Sequence, residues 1–324
     1  MKHTPSSRPH RFAVIGGDLR MTHLAKRLTE EGYPVSLLGC GNECLTHGSE
    51  DLKICTTLQK AVDHADTIIL PLPASRDGST VHCPRDPACI VTFAELSAHL
   101  ARTPGVTVFG GKLPSSFTDG SLLPNEPIPR VVDYYQSEIL QLRNAAVTAE
   151  AALMTAMQMT DGTIRDASAA VVGFGRIGKY LSRLLRALGA DVTVSARREE
   201  VLFEAAAEGC HPLLLSADAP MKGLSPLCRN HAMIFNTVPS HVLDRELLLG
   251  LEQDTLLVDL ASAPFGVKDA DVREAAAKNG LRYLRAPSLP GSYAPREAGR
   301  IIAECILDLL SRSQPNQGEG GDGA

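Results

Sequence analysis

The stretch Val171-Val172-Gly173-Phe174-Gly175-Arg176-Ile177-Gly178 decides the fold, because its glycines separate an apolar run from an amphipathic one. The apolar run Ala169–Val172 predicts a strand, and the periodic segment Ile177–Leu188 predicts a helix. A further strand is expected at Asp191–Ser195. This order is typical of a dinucleotide-binding βαβ unit.

The three glycines of this turn have separate physical roles. Gly173 permits the tight turn, Gly175 lets the backbone approach a pyrophosphate, and Gly178 lets the helix pack close to the strand. The phosphates would then lie at the helix N-terminus, where free N–H groups and the helix dipole favour anions. We therefore expect a bound dinucleotide; the alternative is a tight turn that binds nothing.

The end of the second strand indicates which dinucleotide binds. NAD sites usually end this strand with Asp or Glu, which holds the ribose 2′-hydroxyl. Here the strand ends Ser195-Ala196-Arg197-Arg198, and arginine grips phosphate oxygens bidentately. We therefore predict NADP rather than NAD. The alternative is that both arginines begin a solvated helix in which Glu199 and Glu200 neutralise them.

Composition sets the class of protein. The chain has 324 residues, and this length predicts two domains of ordinary size. The hydrophobic content of 44% fits a soluble globular protein. A net charge of −5 gives no reason to expect nucleic acid or anionic membrane as a partner. No apolar run is long enough to span a bilayer, and the polar N-terminus does not resemble a signal peptide, so we expect a cytoplasmic protein. The eight cysteines are scattered, so neither disulfides nor a metal site is predicted.

Alternating strand and helix patterns continue along both halves of the chain. We therefore predict an α/β protein with two Rossmann-like, doubly wound parallel-sheet domains, an interdomain cleft, and a C-terminal helix that returns to the first domain. The predicted parts are a disordered tail at 1–10, an N-terminal Rossmann-like substrate domain at 11–143 with the returning helix 294–312, a connecting helix at 144–160, an NADP-binding Rossmann domain at 161–293, and a disordered tail at 313–324.

The first domain opens with a second glycine turn, Gly16-Gly17-Asp18-Leu19-Arg20, after the apolar strand Phe12–Ile15. It lacks the third glycine, and Asp18 puts a negative charge where a phosphate would lie. We therefore expect no nucleotide here. The polar segment Leu72–Pro87 predicts a long loop after a strand's carboxyl end, where open α/β sheets bind their ligands.

Three further strand ends of the second domain carry small, polar or proline-bearing turns, at Asn236–Pro239, Asp259–Ser262 and Ala286–Gly291. They share an edge with the glycine turn and predict a floor for a nicotinamide and its ribose; each alone is also compatible with ordinary turn chemistry. The candidate cofactor-binding residues are Gly173, Phe174, Gly175, Arg176, Ile177, Gly178, Ser195, Ala196, Arg197, Arg198, Asn236, Thr237, Val238, Pro239, Leu260, Ala261, Ser262, Pro290 and Gly291.

Taken together, these motifs resemble the dipicolinate synthase A-subunit family, the NADP-binding half of that enzyme, over nearly the whole chain. The resemblance is carried by Ile15–Arg20, Ile69–Pro71, Asn144–Glu150, Asn236–Ser240, Val258–Ser262 and Leu289–Pro295, beside the glycine turn. Val147 stands where the family tends to have proline, and Ala151 where it has glycine. The stretch His82–Cys89 has no counterpart in the family pattern.

This resemblance implies a function. Such proteins are similar to two-domain dehydrogenases of the formate/glycerate and alanine type. The resemblance implies oxidation of dihydrodipicolinate to dipicolinate, with hydride passing to NADP⁺, during sporulation in the mother-cell cytoplasm. It also implies a flavoprotein partner, the B-subunit of dipicolinate synthase, and we expect a homo-oligomer.

A dicarboxylate substrate requires cations and hydrogen-bond donors. The candidate substrate-binding residues are Gly17, Asp18, Arg20, Lys112, Asn144 and Thr148, with Arg76 as a further cation. Glu150 is a candidate proton acceptor, since burial in an apolar helix would raise its pKa; a capping or interdomain hydrogen bond is the alternative. His241 is a second acid–base candidate, or a residue at a helix N-terminus.

Two other functions remain open at this point. One is an NADP-dependent dehydrogenase of another 2-hydroxy or 2-amino acid, although the second domain has no clear Arg–Glu–His succession. The other is a regulator that senses NADP without chemistry.

Overall fold

The computed structural model describes residues 10–41, 51–122, 130–215 and 231–313. The chain divides into two compact units: unit 1 is Met1–Gln141 with Pro295–Ala324, and unit 2 is Leu142–Ala294. Apart from His10 and Ser313, the predicted disordered tails lie outside the described residues.

Unit 1 contains a six-stranded parallel sheet flanked by short helices. Its strands are β1 (Phe12–Ile15), β2 (Val35–Leu38), β3 (Leu52–Ile54), β4 (Thr67–Ile69), β5 (Thr107–Gly110) and β6 (Arg130–Asp133). Its helices before the unit boundary are α1 (Leu19–Glu30), α2 (Leu58–Val62), α3 (Phe93–Arg102) and α4 (Ser115–Thr118), followed by a 3-10 turn at Tyr134–Gln136 and the start of α5 (Glu138–Met159).

The strands of unit 1 lie in the order β3-β2-β1-β4-β5-β6. β1 is central and fully buried, with Ala13 between Ser36 of β2 and Ile68 of β4. Such all-apolar strands are what a parallel sheet covered on both faces requires. The strand predicted at Phe12–Ile15 is confirmed as β1, whereas β6 has no apolar run that would predict it, because Arg130–Asp133 mixes two charged residues with two valines.

Unit 2 repeats the same architecture. Its strands are β7 (Ser168–Val172), β8 (Asp191–Ala196), β9 (His211–Leu214), β10 (Met233–Asn236), β11 (Leu256–Asp259) and β12 (Arg282–Arg285). Its helices after α5 are α6 (Arg176–Ala187), α7 (Glu199–Ala207), α8 (Arg245–Gly250), α9 (Asp269–Asn279) and α10 (Leu289–Tyr293).

The sheet of unit 2 has the order β12-β11-β10-β7-β8-β9, which is the unit 1 order read from the other end. Both sheets thus have the doubly wound order of a dinucleotide-binding fold, and the predicted fold class is confirmed. All strand pairs of this sheet are parallel, so the carboxyl ends of β7, β8, β10, β11 and β12 meet at one edge.

The C-terminal helix α11 (Pro295–Ser313) packs against α1 within unit 1, as predicted. The contact is close at Gly299, where a Cβ atom would lie 2.4 Å from the carbonyl oxygen of Arg20. Along the described parts of the chain, no helix combines the length and apolar character needed to cross a membrane.

One local prediction was wrong. Leu289-Pro290-Gly291, predicted as a turn, begins the short helix α10. Leu289 and Pro290 are both buried, so apolar burial favours a helical turn here despite the proline and glycine.

Candidate functional site

The glycine turn of unit 2 is shaped by its neighbours. Gly173 has φ of +97°, and a Cβ atom there would lie 2.5 Å from Oγ1 of Thr237. The Thr237 hydroxyl donates to the carbonyl oxygen of Val172 at 2.9 Å, while the N–H of Gly173 donates to Ser195 O at 2.8 Å. The turn is therefore fixed between the ends of β8 and β10, where only glycine fits.

The N-terminus of α6 is open. Gly175 is its N-cap, no side chain caps it, and a Cβ atom at Gly175 would meet nothing within 4 Å. The N–H of Phe174 has no hydrogen-bond partner among the described residues. Gly178 instead brings the helix onto the turn, since a Cβ atom there would lie 2.1 Å from Gly173 O. Backbone donors and the positive end of a helix dipole thus face open space.

This turn opens into a cavity of about 740 Å³ within unit 2. Its lining includes eight residues predicted for the cofactor: Gly173, Phe174, Gly175, Ser195, Ala196, Arg197, Arg198 and Val238. The lining also includes Val201, Leu215, Ser240, His241 and Val242. A cavity of this size with one anion-binding corner suits a nucleotide.

The corner at the end of β8 contains polar groups without protein partners. Ser195 is 1% exposed, and its buried Oγ has no hydrogen-bond partner in the described structure. Arg197 and Arg198 are exposed and form no ion pair with the described residues, Glu199 and Glu200 included. Their neutralisation by those glutamates, the alternative interpretation, is therefore not seen.

These features fit an anionic dinucleotide. A buried hydroxyl without a partner is costly unless a ligand satisfies it. The Gly175 opening admits a pyrophosphate, and the two guanidiniums beside Ser195 suit a further phosphate.

At the ends of β10 and β11, Asn236 and Asp259 are fully buried and bonded to each other, Nδ2 to Oδ1, at 2.8 Å. Asn236 Oδ1 accepts from the N–H of Val238 at 3.1 Å, and Asp259 accepts from the N–H groups of Ala261 and Gly266. The Asn236 amide is thus used inside the protein. It holds the Val238 turn in place rather than offering free donors to a ligand.

The other predicted cofactor residues do not line this cavity: Arg176, Ile177, Gly178, Thr237, Pro239, Leu260, Ala261, Ser262, Pro290 and Gly291. The first three belong to the first turn of α6, and the others lie after β10, β11 and β12. They share the carboxyl edge of the sheet with the cavity but are set away from its walls.

His241, predicted as an acid–base candidate, lines the same cavity as the glycine turn. Its Nε2 lies 3.1 Å from the carbonyl oxygen of Pro264. A carbonyl oxygen only accepts, so Nε2 of His241 carries a proton.

The glycine turn of unit 1 is closed by protein groups. The N–H of Gly17 donates to the carbonyl oxygen of His82 at 2.7 Å. Asp18 is the N-cap of α1, and its carboxylate accepts from the backbone N–H of Arg20 at 3.1 Å. A nucleotide phosphate would need the same donors, so the geometry agrees with the expectation that no nucleotide binds here.

Arg20 is buried and already paired. Its Nε and Nη2 donate to the two carboxylate oxygens of Asp18 at 2.8 Å each, and Nη2 also donates to Leu72 O at 2.7 Å. Burial raises the pKa of Asp18, but hydrogen bonds and charge from Arg20 outweigh it and leave that pKa below its usual value. Only Nη1 of this guanidinium has no partner among the described residues.

The other predicted substrate residues differ in their surroundings. Lys112 is exposed, with its Nζ 4.9 Å from the ring centroid of Tyr135. Thr148 is buried, and its hydroxyl donates to the carbonyl oxygen of Asn144 at 2.7 Å, so it serves the helix backbone. Glu150 is exposed, so the burial on which its expected role as a proton acceptor depended is absent.

Sequence reasoning missed several site residues. Val201 and Leu215 follow β8 and β9 at the carboxyl edge, and that position was the available signal. His82 was missed because it is its backbone carbonyl oxygen that accepts from the N–H of Gly17, and no pattern of side chains reveals such a contact. Among the described residues, no group of three His, Cys, Asp or Glu side chains could hold a metal ion.

The sequence matches a known family. A profile for the N-terminal domain of the dipicolinate synthase A-subunit matches residues 11–120. The dipicolinate synthase A-subunit of Bacillus subtilis (strain 168) is 30% identical over 309 residues, which cover 95% of this chain and 98% of that protein.

Solved structures give the same result. The crystal structure of the dipicolinate synthase A-subunit from Bacillus halodurans has a TM-score of 0.77 and 27% identity, covering 94% of this chain and 98% of that one. The crystal structure of the Bacillus subtilis homologue has a TM-score of 0.76 and 29% identity, covering 94% and 97%. A transhydrogenase from Sinorhizobium meliloti, 14% identical with a TM-score of 0.65, covers 93% and 92% and shares the fold.

Proposed function

The chain belongs to the dipicolinate synthase A-subunit family, and from that premise we propose that it oxidises dihydrodipicolinate to dipicolinate with NADP⁺. A nicotinamide-dependent oxidoreductase role follows from the family and the Rossmann-like fold. The choice of NADP and the particular reaction go beyond that and are the proposal.

One observation supports the cofactor most strongly. The open N-terminus of α6 and the polar groups of Ser195, Arg197 and Arg198, which have no partner among the described residues, line the same cavity. The first suits a pyrophosphate, and the second suits the 2′-phosphate that distinguishes NADP from NAD. In this proposal Val238 and the Asn236–Asp259 pair position the turn beside the nicotinamide.

The proposed reaction removes two hydrogens from the substrate ring. Bound NADP⁺ would supply the acceptor for one of them, as hydride with its electron pair; the other would leave as a proton, and the ring would become aromatic. The protein binds the two carboxylates, orients the reacting C–H bond and accepts or relays the proton. Orientation of bound partners can lower a barrier by roughly 7–11 kcal/mol.

Unit 1 supplies cations for the carboxylates in this proposal. Arg20 has one unused guanidinium nitrogen, and Lys112 is exposed. Asn144 and Glu150 on α5 are further candidates for substrate contact, and His241 for the proton. We further propose that the chain works with a flavoprotein partner, as a homo-oligomer, in the cytoplasm of a sporulating mother cell.

The test is an assay of the purified chain with freshly generated dihydrodipicolinate and NADP⁺, following pyridine absorbance. We expect dipicolinate and NADPH in equal amounts, alone or with the flavoprotein partner present. No dipicolinate under either condition would refute the reaction. Turnover of a 2-hydroxy or 2-amino acid instead would favour the other dehydrogenase, and NADPH binding with no turnover at all would favour a sensor.

A further inference from the structure

The segment after β4, expected as a long loop, is a loop in unit 1 whose two arms are joined by an isolated antiparallel bridge; residues 79–93 are called the hairpin below. Thr80 and Thr92 form an antiparallel bridge, the N–H of Val81 donates to Val91 O at 2.9 Å, and that of Phe93 donates to Ser79 O at 2.9 Å. The N–H of His82 donates to Ala74 O at 2.9 Å. The hairpin is therefore a fixed part of unit 1.

A tight turn at Asp77 sets the position of the neighbouring Arg76. The Asp77 carboxylate accepts from the N–H groups of Ser79 and Thr80 at 2.8 Å each. It also accepts from the hydroxyl of Ser75 and from the hydroxyl of Thr80. These hydrogen bonds, first that of the Thr80 side chain, hold the pKa of Asp77 well below its usual value. The carboxylate is thus occupied by its own turn.

Arg76 and His82 form a pair across the base of the hairpin. Nε of Arg76 donates to Nε2 of His82 at 3.1 Å, so His82 accepts with Nε2 and is neutral. Burial, and then the charge of Arg76, lower the pKa of His82, which keeps it neutral at physiological pH. The two Nη groups of Arg76 have no partner among the described residues.

These two side chains border a cavity of about 460 Å³ with largely apolar walls. Pro84, Pro87 and Ile90 form much of the wall, and Ile90 is 72% exposed. Asp77 also lines the cavity, with its carboxylate bonded to the N–H groups of its own turn. Cys83 also lines it, and burial raises its pKa to about 12, so this thiol is uncharged at neutral pH. One free guanidinium beside flat apolar surfaces suits a small planar ligand with a carboxylate at one end.

We propose that this hairpin cavity binds a planar carboxylate, with Arg76 gripping the carboxylate and His82 holding the guanidinium in place. The identity of the ligand rests on the proposed function: the pyridine dicarboxylate product has the required flat ring and carboxylates. The cavity would then be a product-binding site on unit 1.

The test measures binding of pyridine-2,6-dicarboxylate to the full chain by calorimetry, without nucleotide. We expect Arg76→Gln to weaken binding by about tenfold or more, since a charge-assisted bidentate contact is lost. Arg102→Gln is the matched control, because Arg102 is an exposed arginine of the same unit that does not line this cavity. It should leave binding within about twofold.

Two variants of His82 test whether this residue holds the Arg76 guanidinium in place. In His82→Gln the amide oxygen can still accept from Arg76, whereas His82→Ala removes the acceptor and keeps both backbone hydrogen bonds. We expect near wild-type binding for Gln and a loss approaching that of Arg76→Gln for Ala. No binding by the wild type at millimolar ligand, or equal losses in Arg76→Gln and Arg102→Gln, would overturn the proposal.

The outcome is separate from that of the proposed reaction. Turnover with no selective loss in Arg76→Gln refutes the hairpin site and leaves the reaction standing. A selective loss without turnover supports the site and refutes the reaction.

Discussion

The two glycine turns lie at the same place in two sheets of the same strand order, yet they present opposite surfaces to a ligand. Gly16 N donates to the end of β2 at Leu38, and Gly173 N donates to the end of β8 at Ser195. Because both turns make this hydrogen bond, each residue of the unit 1 turn can be matched to one residue of the unit 2 turn. Asp18 corresponds to Gly175 as N-cap, and Met21 corresponds to Gly178.

Unit 1 satisfies with protein groups a turn amide and a helix N-terminus that unit 2 leaves free. The N–H of Gly17 meets a carbonyl, whereas that of Phe174 meets no described acceptor. The N-terminus of α1 is capped by the Asp18 carboxylate, whereas α6 has no side-chain cap. An internal anion in unit 1 thus takes the place that a phosphate would take in unit 2.

The second strands differ in the same sense. Counting on from Leu38 and Ser195, Cys40 corresponds to Arg197. Cys40 is buried and donates to the carbonyl oxygen of Gly16 at 2.9 Å, while Arg197 is exposed. From this comparison we expect a dinucleotide only in unit 2, where the turn amides and the strand-end side chains remain available.

The largest expected effect on nucleotide affinity comes from placing an aspartate at Gly175, the position that corresponds to Asp18 of unit 1. Gly175→Asp places a carboxylate at the N-terminus of α6, where it caps the helix and repels a pyrophosphate. We expect NADPH affinity to fall about a thousandfold, or roughly 4 kcal/mol, measured by fluorescence titration. The fold should survive, because the site has space and φ is −80°.

Gly175→Ala is the control for added volume alone. It should lose far less affinity than Gly175→Asp, and both variants should melt within a few degrees of the wild type. Unchanged NADPH binding in Gly175→Asp would show that the turn does not bind the pyrophosphate.

The next effect concerns the strand-end arginines. Arg197→Ala combined with Arg198→Ala should weaken NADPH about a hundredfold, while NADH changes by less than about threefold, because only NADPH carries the 2′-phosphate. Competitive titration with both nucleotides checks this. Equal losses for NADPH and NADH would remove the argument for NADP.

A smaller effect is expected at Gly178, whose missing Cβ allows α6 to approach Gly173 O. Gly178→Ala should lower the free energy of unfolding of unit 2 by about 2 kcal/mol, since the helix must move away from the turn. Hydrogen exchange resolved on α6 and β7 would show the local loosening. Protection equal to the wild type would contradict the close packing.

The smallest effect is the pH dependence of the Asp18–Arg20 pair. The folded pKa of Asp18 lies below its unfolded value, so the pair contributes stability above about pH 4 and loses it as pH falls through the folded pKa. Asp18→Asn should therefore cost about 1 kcal/mol at pH 7 and progressively less toward pH 2. Melting curves across this range test it, and a difference that grows in acid would contradict the sign.

The sequence was sufficient for the unit 2 turn, because the glycines, the flanking periodicity and the arginines of the β8 end are local signals. The central strands of both sheets were also predictable, since they are short apolar runs separated by helical periodicity, whereas β6 with its two charged residues was not. The same holds for the charge of Asp18, which argues against phosphate without any knowledge of its partner.

The remaining features depend on contacts distant in the chain. The hairpin at 79–93 has polar residues and prolines that favour a loop locally, and its register appears only when the segment packs on Gly16 and Gly17. Glu150 was misjudged because composition shows that α5 is mainly apolar but does not show which side faces the core. The Asn236–Asp259 bond joins residues 23 positions apart, and neither signals the other.

The most direct test of the contrast between the two turns is a crystal structure of the full chain with NADP⁺. The pyrophosphate should lie at the N-terminus of α6, with the 2′-phosphate beside Ser195, Arg197 and Arg198, and with one nucleotide per chain. A nucleotide at the Gly16–Asp18 turn, or a 2′-phosphate remote from Ser195, would contradict this account.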